Sequence, residues 1–434
     1  MRTIVRLTLG CSLVAALCAP STVVQAAPVG SAAASPAAAG STKAGSAAAG
    51  SAGLVNKAGS YLPVAAKRVL DTRSGLGGFT GKLGPRQEVS FNVSAARPTA
   101  DPVSAVVLDV TVPAYSPGGS LSVYPSGTRW DGRVTMSLMY EITNQQQLTV
   151  SLGADGGVTI RRNAGYSLNV VVDVLGFYVG GTATGTGKFA PANSRVLDTR
   201  TGLGAEQGSL GAGHKLTLAL AGHGGIPAGG ATAVIANVAV LEPLRVGQLA
   251  ITDGDGSQAT TPIRFSGFGD WSPTTQTERV LKLGTDGTLT FTNTSGTAIQ
   301  LIVDVFGYFL RGGETSYPEG SYVALSPRPV NSGQRLVLQD YQPGTLALAG
   351  VPARQHSAVN LVITTYPSMG GPLGVYGSGS PWTGSSAVST NSLLQPTELS
   401  VRTQGVNAIT VRNVMKWQTW VYGYVTGYYL HPTG

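Results

Sequence analysis

Beyond residue 60 the chain alternates apolar with small or polar residues in short runs. These include "AVVLDVTV" at 105–112, "SLSVY" at 120–124, and the segments 148–151, 158–161 and 168–174. A period of two over four to eight residues predicts half-buried β-strands, and no stretch after the first thirty residues carries the three-to-four spacing of an amphipathic helix. Gly, Pro, Asn and Asp separate the runs. "GADGG" at 153–157 and "GTDGT" at 284–288 set Asp-Gly between two such runs and predict hairpins. The expected class is all-β.

The runs recur in order, which is the mark of internal repetition. One unit opens on "RVLDTR" at 68–73 and closes on "GYSLNVVVDVLGFYVGG" at 165–181; a second opens on "RVLDTR" at 195–200 and closes on "GTAIQLIVDVFGYFLRGG" at 296–313. A third, altered, opens on "VALSPRPVNSGQ" at 323–334 and closes on "TWVYGYVTGYYL" at 419–430. Units of about 125 residues with seven or eight strands suit separate sandwiches better than propeller blades or solenoid coils. The expectation is three tandem, related β-sandwich, jelly-roll-like domains at 61–181, 188–313 and 320–434, preceded by a flexible Ala/Gly/Ser arm at 27–60. Each closing strand is apolar on both faces, as for a strand central in a sheet and covered on both sides.

Composition sets the compartment. Arg2 and Arg6, the apolar run 7–19 and "VQA" at 24–26 read as a secretory signal peptide over 1–26. Both cysteines, Cys11 and Cys18, fall inside it, so the mature chain would have no disulfide, thiolate-bound zinc or thiol nucleophile. It must be stabilised by buried apolar surface, for which roughly 375 residues suffice. Loss of Arg2 and Arg6 takes the formal net charge from +8 to about +6. The basic residues are scattered, without the stripe that nucleic-acid binding requires. Residues 27–60 have too few large apolar side chains for a core. They suit either a spacer or a docking peptide anchored by Leu54 and Val55. The ending "HPTG" is no sorting signal, so release rather than anchoring is expected.

Asp71, Arg73 and Asp173 recur as Asp198, Arg200 and Asp304. An aspartate among valines is costly unless paired, and Arg73 could offer its planar fork to Asp71, Asp173 or both. In the third unit Ser326 and Tyr424 stand for the two aspartates and Arg328 remains. The carboxylates vanish together, as parts of one structural clasp would. Two rival chemistries are weaker. "DGDGS" at 253–257 has the flavour of a calcium loop but lacks the downstream glutamate, and a glycosidase carboxylate pair would hardly be duplicated within apolar strands. His214, His223, His356 and His431 have neither metal-ligand spacing nor a nucleophile-elbow context. The Gly-x-Gly after each opening arginine reads as a turn requiring positive φ. No catalytic residue, cofactor or metal is expected. Trp382, Trp417, Trp420, Tyr422 and Tyr424 gather in the third unit, with Tyr428 and Tyr429. They read as core filling where the clasp is lost, as a protein interface, or as a platform for sugar rings.

"RVLDTRxGLG" followed about 100 residues later by "VVVDVxGYF" resembles a repeat of secreted actinobacterial proteins. With a signal and an Ala/Gly/Ser arm, the chain resembles the adaptor subunits of the umbrella toxin particles of Streptomyces. The resemblance implies a non-catalytic extracellular adaptor for interbacterial competition. Its arm would insert into a large repeat-containing toxin subunit, and its body would present a lectin subunit. The alternative is a cell-surface or cell-wall carbohydrate-binding protein.

Overall fold

The computed structural model describes residues 58–113, 118–139, 143–180, 186–241, 243–254, 262–265, 275–311, 320–367, 371–384, 388–390 and 395–431. The signal, nearly all of the arm including Leu54 and Val55, and positions 255–257 of the suspected calcium loop lie outside them.

Unit 1 comprises β1 (Ala58–Asp71), β2 (Glu88–Asn92), β3 (Val103–Val112), β4 (Gly119–Pro125), β5 (Met136–Leu138), β6 (Asn144–Ser151), β7 (Gly157–Ala164) and β8 (Val171–Val179). Unit 2 repeats the series as β9 (Gly187–Asp198), β10 (Lys215–Ala219), β11 (Ala231–Leu241), β12 (Gly247–Asp253), β13 (Ile263–Phe265), β14 (Thr275–Lys282), β15 (Thr288–Asn293) and β16 (Gln300–Arg311). Unit 3 has β17 (Tyr322–Pro329), β18 (Leu336–Leu338), β19 (Pro343–Ala347), β20 (His356–Pro367), β21 (Gly371–Gly377), β22 (Val388–Thr390), β23 (Gln395–Arg402), β24 (Ala408–Asn413) and β25 (Thr419–Leu430). In unit 1 the inner sheet runs β6-β3-β8-β1 and the outer sheet β2-β7-β4-β5, and units 2 and 3 repeat both orders. Opening strand beside closing strand in one sheet, with alternate strands passing to the other, is jelly-roll topology. The three-sandwich, all-β expectation therefore holds.

Two local expectations change. Ala58, Gly59 and Ser60 belong to β1 rather than to the arm. The Asp-Gly turns at 153–157 and 284–288 are not hairpins. β6 and β7, like β14 and β15, lie in different sheets. The turn carries the chain round a sandwich corner, held in unit 1 by Asp155, which accepts from the Gly157 N–H at 3.0 Å.

Units 1 and 2 have cores of their own, whereas the core of unit 3 is continuous with a cluster shared by all three inner sheets. That cluster repeats by threes. Tyr61 faces Tyr178 across β1 and β8, Phe189 faces Phe309 across β9 and β16, and Tyr322 faces Tyr429 across β17 and β25. Each closing-strand ring then meets an opening-strand ring of another unit. Tyr178 lies 4.3 Å from Tyr322, Tyr429 lies 3.9 Å from Phe189, and Phe309 lies 4.6 Å from Tyr61. Aromatic pairs at such spacing contribute about 0.5–1.5 kcal/mol each beyond their burial. The glycine of each closing "GFY", "GYF" or "GYY" serves this packing. A Cβ at Gly176, Gly307 or Gly427 would collide with Tyr61, Phe189 or Tyr322 respectively.

A second ring of contacts joins β6, β14 and β23, the far edges of the inner sheets. Gln147 accepts from Val280 N–H, Glu278 from Ser400 N–H at 2.8 Å and Glu398 from Thr149 N–H at 2.8 Å. The three acceptors occupy equivalent register positions, opposite Asp109, Asn237 and Val362. Burial pushes Glu278 up to about 8 and Glu398 up to about 7, against the hydrogen bonds they accept. Among the described residues no helix is long and apolar enough to cross a membrane.

Candidate functional site: the clasps and the aromatic strip

The opening motif is occupied residue by residue. Val69 and Leu70 enter the core. Asp71 accepts from Arg73 N at 3.1 Å, Nε at 2.8 Å and an Nη at 2.7 Å. Thr72 bonds Val170 through both its N–H and its hydroxyl, each at 3.1 Å. Gly77 has φ +85°, and a side chain there would strike the Val69 carbonyl. Arg73 does not reach Asp173, contrary to one of the options above. Arg68 does, with Nε 3.1 Å from Asp173 and Nη1 3.4 Å from Asp71. Register explains this, because Arg68 is the cross-strand partner of Asp173 on β8 while Arg73 lies past the end of β1 in the turn. Unit 2 repeats the arrangement. Arg195 spans Asp304 at 2.8 Å and Asp198 at 3.4 Å, and Arg200 grips Asp198 at 2.7 Å.

The hydrogen bonds from Arg73 and Arg200 hold Asp71 and Asp198 below the usual carboxylate range. At Asp173 burial outweighs Arg68 and raises the pKa. All four carboxylates are thus engaged by guanidinium groups and tie the two strands together. Beside this clasp Asp109, fully buried on β3, pairs with Arg279 of unit 2 at 2.5 Å, the arginine being 2% exposed. Neither Arg68 and Arg195 nor the Asp109–Arg279 pair figured among the candidate residues. The first two stood inside the repeated "RVLDTR", while the last pair joins two units and has no local signal. No three His, Cys, Asp or Glu side chains among the described residues come close enough to hold a metal ion. Asp253 of the suspected calcium loop accepts from Lys282 Nζ at 3.3 Å.

Unit 3 differs at the corresponding place. Arg328 pairs with Val425 and Pro329 with Tyr424, so Pro329 holds the position of Arg68 and Tyr424 that of Asp173. Arg328 corresponds to Lys67, not to an arginine of the clasp. Trp420, Tyr422 and Tyr424 alternate along β25 with Val421 and Val425, which are fully buried in the core. The three aromatics therefore line the opposite face and do not fill the core. Trp420 is flanked by its register partners Tyr366 and Val337, all three exposed, and Arg335 sits 5.5 Å over Trp420 and 6.0 Å over Tyr422. Trp417 is exposed in the turn before β25. Trp382 belongs elsewhere, under Arg412 on the outer sheet at 5.1 Å. The strip runs inward to Tyr424, where Arg133 of unit 1 lies 5.2 Å over the ring and donates to the Pro327 carbonyl at 3.0 Å. There it meets a pocket of about 280 Å³ between units 1 and 3, whose lining includes Trp130, Asp131, Arg133, Ser326, Glu398 and Thr426.

No family model and no curated protein matches the chain. Solved structures do. A chain from "The Triple Jelly Roll Fold and Turret Assembly in an Archaeal Virus" is 12% identical at TM-score 0.17, over 86% of this chain and 92% of its own. A chain of Sulfolobus turreted icosahedral virus is 10% identical at TM-score 0.18, over 85% and 91%. A tandem CBM22 pair from Paenibacillus barcinonensis Xyn10C is 11% identical at TM-score 0.17, over 55% and 99%. Overlaps this low carry no argument about function, and the jelly-roll topology stands on the strand order itself.

Proposed function

We propose that the chain is a secreted, non-catalytic adaptor of an extracellular toxin particle. Its N-terminal arm inserts into a large repeat-containing toxin subunit, and its β body serves as a mount that presents a lectin subunit. The observation that carries this reading is the way the body is built. Three jelly rolls are welded into one unit by a buried aromatic cluster and a ring of inter-unit hydrogen bonds, and the preceding segment enters at Ala58, where β1 pairs with β17 of unit 3. A force on the arm is thus delivered to the junction of units rather than to one domain's periphery. The test compares the full chain with one lacking residues 27–57, each recovered from culture supernatant with its partners. Loss of the large subunit from the shortened chain, with its circular dichroism and melting unchanged, supports the adaptor. Retention of the same partners by both chains, or recovery of neither partner by the full chain, overturns it.

A further inference from the structure

We infer that the aromatic strip of unit 3, from Trp420 to the pocket between units 1 and 3, is a binding site for an oligosaccharide chain. Trp420 and Tyr424 stand four positions apart on β25, a run of about 13 Å. The strip offers flat apolar rings spaced along one line, which suit the C–H faces of successive sugar rings. Polar side chains border it where sugar hydroxyls would project. Arg335 overhangs the Trp420 and Tyr422 rings, and Ser326, Thr426 and Asp131 line the inner end. The strip ends beside a small pocket of mixed polar and apolar lining, at the low end of the volumes that hold small ligands. Units 1 and 2 cannot offer the same surface, because Asp173 and Asp304 hold the place of Tyr424 and are clasped by arginine. This site does not depend on the arm and stands or falls apart from the adaptor reading.

The experiment presents the full chain to an array of defined α- and β-linked oligosaccharides and purified cell-wall glycans. Any glycan retained is then titrated by calorimetry and by tryptophan fluorescence. Saturable binding to at least one glycan is expected. Trp420→Ala and Tyr366→Ala, both exposed positions, should weaken it about tenfold or more while melting stays unchanged, and Trp382→Ala on the outer sheet should leave it within about twofold. The chain lacking residues 27–57 should bind as the full chain does. Failure of the full chain to retain any glycan overturns the inference, as does binding indifferent to Trp420→Ala and Tyr366→Ala. Capture of a protein partner through Trp420 without glycan binding overturns it equally.

Discussion

The closing strands β8 and β16 and the closing strand β25 occupy the same place in three copies of one jelly roll, yet they present opposite chemistry on one face. In units 1 and 2 the position is an aspartate bridged by Arg68 or Arg195 to a second aspartate. In unit 3 it is Tyr424, opposite Val362 and Pro329. The backbone accepts either solution, because a partly buried ion pair and a packed aromatic face can offset similar desolvation costs. What differs is the use left over. The clasp consumes its polar groups in holding two strands together, whereas the aromatic version leaves rings facing outward.

The largest effect is expected where an ion pair is sealed between units. Asp109→Val gives unit 1 the residue unit 3 has at that register position, but it strands the 2%-exposed Arg279. Loss of about 3–5 kcal/mol in denaturant unfolding is expected. The other units carry Leu148 and Leu399 where unit 2 carries Arg279. Adding Arg279→Leu should therefore recover most of the loss. Equal destabilisation in the single and double variants would show that the ionic and apolar solutions are not interchangeable.

Much of this was legible in the sequence, and the rest was hidden for identifiable reasons. Two intact copies of the opening and closing motifs marked the clasp and its aspartates. The choice between Arg68 and Arg73 depended on register, and spacing along the chain does not reveal which of two arginines faces the partner strand. In unit 3 the same ambiguity made Arg328 look like a remnant of the clasp, although it occupies the position of Lys67. The central aromatics stood in "GSY", "GKF" and "GSY" at 59–61, 187–189 and 320–322. Their meaning comes only from three sheets meeting, because no single unit needs a bulky ring on the outer side of its own sandwich. Leu54 and Val55 lie outside the described residues, so the arm is read from sequence alone.

The acids of the clasp and those of the inter-unit ring should oppose each other with pH. Asp71 and Asp198 are held low, so their contribution is present above the ordinary carboxylate pKa and is lost as pH falls below it. Glu278 and Glu398 are raised to about 8 and about 7. The folded chain keeps protons there that the unfolded chain has released, and stability declines as pH rises from about 4.5 through about 8. Melting should therefore occur several degrees higher at about pH 5 than at about pH 8.5. Glu278→Gln with Glu398→Gln, which makes all three ring positions resemble Gln147, should flatten that dependence. A slope unchanged by the double substitution would show that neither carboxyl titrates in the folded protein over this range.

The smallest effect separates the two arginines of one motif. Arg68 and Arg73 are both about half exposed, so each ion pair is weakened by solvent and about 1 kcal/mol or less is at stake. Their roles nevertheless differ. Among the described residues the Arg73 guanidinium bonds Asp71, two residues away in the same turn, whereas Arg68 joins the opening strand to the closing strand 105 residues later. Arg68→Ala also leaves Asp173, whose pKa burial already raises, without its guanidinium. Arg68→Ala should therefore lower the unfolding midpoint more than Arg73→Ala, and Arg195→Ala more than Arg200→Ala. Combining Arg68→Ala with Asp173→Tyr should restore part of the loss by moving unit 1 toward the unit 3 solution. If Arg73→Ala were the more damaging, the turn rather than the strand-to-strand bridge would be what the repeated motif protects.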